Sequence, residues 1–73
     1  MVKLRVMSGR EVCALLAAHG FVEVRQRGSH VVMQLQRDGN TITVPVPNHS
    51  EVRRGMLSAI IRQSGLAKNL FEA

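Results

Sequence analysis

Residues 21–47 read FVEVRQRGSHVVMQLQRDGNTITVPVP, and the alternation within this stretch decides the fold. Apolar and polar residues change places every second position in three runs, which is the side-chain period of a strand. The first run covers about Phe21 to Arg27, with Val22 and Val24 facing one way and Glu23, Arg25 and Arg27 the other. Gly28-Ser29 is a tight connection. The second run, His30 to Gln36, puts Val31, Met33 and Leu35 inward and His30, Val32, Gln34 and Gln36 outward. Asp38-Gly39 follows, a strong hairpin signal because both residue types tolerate the positive φ that a tight turn demands. The third run turns Ile42, Val44 and Val46 inward and Thr41 and Thr43 outward. Pro45 and Pro47 donate no N–H, which suits a strand ending at a sheet edge.

A helix is expected on each side of these strands. Ser8-Gly9-Arg10-Glu11 has capping-box spacing: a hydroxyl that accepts a backbone N–H, and a carboxylate three residues on that reaches back. Val12, Leu15, Leu16 and His19 then recur at helical spacing among the small residues Cys13, Ala14, Ala17 and Ala18. Gly20 supplies the left-handed C-terminal position, and Phe21 can fold back on Leu16. The second helix runs from near Arg54 to Ser64 with Met56, Leu57, Ile60 and Ile61 as its apolar stripe, and Gly65 stops it. Residues 67–73 add at most a final helical turn. The reading is an α+β fold in the order α-β-β-β-α, a three-stranded antiparallel sheet with both helices on one face. The other face is open to water and carries Arg25, Arg27, His30, Gln34, Gln36 and the two threonines.

Seventy-three residues make one domain, 1–73, with a thin core; a chain this short buries only about 60% of the surface it exposes when unfolded. Chemistry is therefore expected on an open face. Ten Lys and Arg stand against five Asp and Glu, a formal net charge of +5. That excess draws polyanions, nucleic acid before an anionic membrane. With no Trp or Tyr and only Phe21 and Phe71 as aromatics, a base-stacking platform for single strands is disfavoured. Cys13, the sole cysteine, allows no internal disulfide and no paired-thiolate zinc site; it reads as a small core residue of a cytosolic protein. Lys3 and Arg5 ahead of the apolar run Val12 to Ala18 loosely mimic a secretory signal, but Arg10 and Glu11 intervene. The run is also shorter than the roughly 18 residues a span needs. It reads as a core helix, and no membrane association is expected.

Arg25-Gln26-Arg27-Gly28-Ser29-His30 is the most informative hexapeptide. Two guanidinium groups and an imidazole point to one side across a glycine turn. Arg holds phosphate bidentately, and His moves protons near neutrality. On residues alone this suggests RNA handling, with a plain solvated His30 the commoner outcome for such a pattern.

Gly20-Phe21, Gln26-Arg27-Gly28-Ser29-His30, Val44-Pro45-Val46-Pro47, and Arg54-Gly55-Met56-Leu57 with Ile60 follow one another at spacings that resemble the HicA-type mRNA interferase toxins, also called the YcfA family. The likeness covers roughly residues 8–66. It implies a fold like the double-stranded-RNA-binding domain, a ribonuclease that blocks translation by cleaving messenger RNA, an essential histidine at His30, and a HicB-type antitoxin partner. One position departs: the family often has a second His directly after the motif, where this chain has Val31, which strand parity turns into the core.

The acids Glu11, Glu23, Asp38, Glu51 and Glu72 are scattered over separate elements, so no carboxylate cluster for two-metal hydrolysis is expected, and no metal or cofactor. The expectation is metal-independent transesterification. His30 deprotonates the ribose 2′-OH or protonates the leaving oxygen, while Arg25 or Arg27 stabilises charge at phosphorus. Gly28 and Ser29 shape the turn or bind phosphate. The complementary proton transfer is unassigned; His49 is a candidate, with a solvated loop residue the favoured reading. Arg53 and Arg54 are secondary candidates for RNA contact beside the reading as a solvated charged turn. The rivals are a non-catalytic double-stranded-RNA-binding module and an inactive HicA-like protein that only binds its partner.

Overall fold

The computed structural model describes residues 3–73. Helix α1 spans Gly9–Ala18, strands β1, β2 and β3 span Val22–Arg27, His30–Arg37 and Asn40–Pro47, and helix α2 spans Arg54–Ser64. A 3-10 turn over Lys68–Phe71 follows. The strands form one antiparallel sheet in the order β1-β2-β3. This is the expected α-β-β-β-α arrangement.

Local chemistry explains the element ends. The Ser8 hydroxyl accepts the Glu11 N–H at 3.1 Å while the Glu11 carboxylate accepts the Ser8 N–H at 2.9 Å, a complete capping box. At the other end Gly20 takes φ 98°. Its N–H donates to Ala17 and that of Phe21 to Leu16, so Phe21 folds back over the last turn in a Schellman arrangement. The β2–β3 hairpin has positive φ at both Asp38 (51°) and Gly39 (80°), the type I′ geometry that matches strand twist.

The core lies between the sheet and the helices. Val12 and Leu16 of α1, Val31, Met33, Val44 and Val46 of the sheet, and Leu57, Ile60 and Ile61 of α2 form one cluster. Met7 and Phe71 belong to it too, and Phe71 is the largest of the fully buried side chains. Neither stood out from periodicity, because both lie outside regular elements. They are brought in by pairing of the chain ends: Arg5 N–H donates to Phe71 O at 2.8 Å, Ala73 N–H to Lys3 O at 2.9 Å, and Leu4 bridges Glu72.

The first strand departs from strict alternation. Val22 pairs with Gln34 and Glu23 with Met33, yet Arg25 pairs with Val32, so one extra residue sits between Glu23 and Arg25. Such a bulge resets side-chain parity. Val22, expected inward, is 61% exposed on the open face, and bulged Val24 is 46% exposed. Glu23, expected outward with the arginines, lies on the α1 side against Arg10 and Cys13. Two smaller corrections concern burial. Met56, assigned to the apolar stripe, is 44% exposed at the start of α2, whereas outward-facing Val32 is only 6% exposed. Val32 sits in the middle strand between Arg25 and Pro45, whose side chains flank it on the open face.

Candidate active site

His30 is the first residue of β2, directly after the Gly28-Ser29 turn. Gly28 alone of the pair has positive φ (58°), the pattern of a type II′ turn, and a Cβ there would touch nothing. The turn thus needs glycine for its backbone conformation and not for space. In the sheet His30 lies opposite Arg27 on one side and Pro47 on the other; the next row in register is Arg25, Val32 and Pro45. Residues two apart in register share a face. The arginines expected beside His30 are therefore beside it, because the bulge lies ahead of them both.

Two depressions meet at His30. The first, about 350 Å³, is lined by Arg25, Arg27, His30, Val32, Thr43 and Pro45. Its floor is the buried Val32, and Gln34 Nε2 donates to Thr43 Oγ1 at 3.2 Å farther along the same face. The second, about 360 Å³, is lined by His30, Pro47, His49, Glu51, Val52, Arg53 and Met56. The imidazole therefore forms part of the shared wall between a basic groove on the sheet and a hollow under the start of α2.

The secondary candidates separate. Arg53 and His49 join His30 in the second depression. Arg54 points into a different one, about 170 Å³, with Arg5, Leu4 and Leu57. Ser29 is exposed, and its carbonyl accepts the Asn48 N–H at 2.6 Å, which ties the turn before His30 to the loop that carries His49. Arg53 is the N-cap of α2 and makes no side-chain cap, and the first turn holds no acid. A cation at the positive end of a helix is unfavourable by itself and suits a position that meets an anion.

Among the described residues no group of three or more His, Cys, Asp or Glu side chains could hold a metal ion. Of the five acids only Glu51 borders His30's depressions. Cys13 lies on the far side of the sheet in a hollow of about 60 Å³ with Arg10 and Glu23. Burial pushes its thiol up, as does the Glu23 carboxylate, with Arg10 partly opposing them. This is a poorly nucleophilic thiol away from the open face.

The family model for the HicA toxin of bacterial toxin–antitoxin matches residues 9–66 of this chain. The chain belongs to the HicA toxin family. No curated protein and no solved structure matches it. The HicA match runs from the first residue of α1 to just past Gly65, so it takes in the sheet, both depressions at His30, and α2. It leaves out the paired chain ends that carry Met7 and Phe71. Membership makes the chain the toxin of a toxin–antitoxin pair, with a cognate antitoxin as partner. No helix among the described residues is long and apolar enough to cross a membrane.

Proposed function

We propose that this HicA-family toxin is an endoribonuclease that cleaves messenger RNA in the cytoplasm with little sequence preference, with His30 as its catalytic residue. The observation that carries the reading is the meeting of an exposed imidazole and two guanidinium groups on one open face, on adjacent rows of one sheet. RNA lying across that face would set a phosphodiester between them. Arg25 and Arg27 then offer bidentate donors to the phosphate oxygens and oppose the charge that builds on them. His30 takes the 2′-OH proton or gives one to the leaving oxygen.

The ribose 2′-OH is the natural nucleophile for so open a site. It is held in place by the substrate itself, so no attacking water has to be positioned. The O2′–P bond forms, the P–O5′ bond breaks, and the ends are a 2′,3′-cyclic phosphate and a 5′-OH. The scatter of the carboxylates favours this route over one through paired metal ions. An uncovered site of this kind needs restraint from outside. A HicB-type antitoxin, acidic opposite Arg25 and Arg27, would supply it by covering His30.

The test is cleavage of a defined RNA in excess chelator, with analysis of the ends. Cutting should persist, should stop when a 2′-deoxy residue replaces the ribose at the cut, and should leave a cyclic or 3′ phosphate. Recovery of 5′-phosphate ends, or a strict requirement for a divalent cation, contradicts the proposed route.

A further inference from the structure

We propose that His49 is a second catalytic residue of this site, sharing with His30 the two proton transfers of cleavage. The inference rests on the ribonuclease reading above and deepens it. Transesterification needs one group to take the 2′-OH proton and another to give a proton to O5′ as the P–O5′ bond breaks; the net proton count is unchanged. One imidazole on an open face serves one of these steps at a time. His49 lines the same depression as His30, with Arg53 beside it.

The loop carrying His49 is anchored through its backbone, although its surface is exposed. The Asn48 N–H donates to Ser29 O at 2.6 Å, the His49 carbonyl accepts the Gly9 N–H at 2.9 Å, and the Val52 N–H donates to Met7 O at 2.7 Å. Three anchors, at Asn48, His49 and Val52, thus tie it to the turn before His30, to the start of α1, and to the N-terminal segment. Gly9 permits this: a Cβ there would overlap the Pro47 carbonyl oxygen and crowd Asn48 Cα. All three anchors are backbone bonds, so the imidazole of His49 is not what holds the loop. The His49 side chain lines the depression it shares with His30 from an anchored backbone, takes no part in the anchoring, and is available for chemistry. The charged groups around the pair are Arg25 and Arg27 from β1, Glu51 from the loop and Arg53 at the N-cap of α2.

The experiment compares wild type, His30→Ala, His49→Ala and His49→Gln on two substrates under single-turnover conditions, with RNA affinity measured separately. One substrate is ordinary RNA; the other carries a 5′-bridging sulfur at the cut, a leaving group that departs without a proton. On ordinary RNA both His49 variants should lose about 10²- to 10⁴-fold in cleavage rate while binding RNA within about threefold of wild type. The sulfur substrate should restore one of the two alanine variants and leave the other impaired, which also says which histidine is the acid. Wild-type cleavage together with undiminished cleavage by the His49 variants overturns the assignment, as does a loss explained by weaker binding, or restoration of neither variant. Absence of cleavage by the wild type overturns the ribonuclease reading itself, and this assignment with it.

Discussion

At the scale of single residues, the site depends on which face of β1 its arginines occupy. Simple alternation places Arg25 and Arg27 beside His30, and they are there, but alternation also sets Glu23 with them and Val22 opposite. The extra residue between Glu23 and Arg25 reverses both of those positions. Nothing in the composition of VEVRQR signals a bulge, since no glycine or proline marks it; the mismatch emerges only when β2 supplies the partners. The two arginines are expected to act as phosphate contacts. Replacing either with Ala should weaken RNA binding and lower the log–log salt slope by about 0.7 to 0.9, one contact's worth. A slope unchanged in both variants would put the RNA elsewhere, nearer Arg53 or the separate Arg54 and Arg5.

At the scale of elements, α1 was the most legible part of the chain. Its cap residues act through their immediate neighbours, so Ser8, Glu11, Gly20 and Phe21 could be assigned from spacing alone. Helix α2 has the right bounds but an unusual start. Arg53 is its N-cap without a side-chain acceptor, where Ser, Thr, Asp or Asn would satisfy a free N–H. This is a local rule broken where an anion is expected to sit, and such breaks concentrate at functional sites. Arg53→Ser should therefore stabilise the fold by about 0.5–1 kcal/mol while weakening RNA binding, measured by denaturant unfolding and by titration. Loss of stability in this variant would mean that Arg53 supports the fold instead. The loop bearing His49 was less legible, since its anchors at Ser29, Gly9 and Met7 all lie far from it in sequence.

At the scale of the whole molecule, the chain ends close over the core and the sheet face stays free. Phe71 is fully buried although it lies in a single 3-10 turn, a position that periodicity over so few residues could not assign. Phe71→Ala should cost about 3–5 kcal/mol, a large share of the ~4–11 kcal/mol typical of a chain this length. The check is the denaturation midpoint; a shift under about 1 kcal/mol would show that the paired ends are not integral to the core. This division of labour leaves His30 removable without harm to the fold, because it is exposed and lies outside the buried cluster.

That independence permits the most direct measurement of the central claim: RNA cleavage and growth arrest by wild type and His30→Ala, with the unfolding transition of each recorded alongside. The expected result is a variant whose stability changes by less than about 1 kcal/mol and which neither cleaves RNA nor arrests growth. A folded His30→Ala protein that retains full cleavage and toxicity would contradict the assignment of His30 as the catalytic residue.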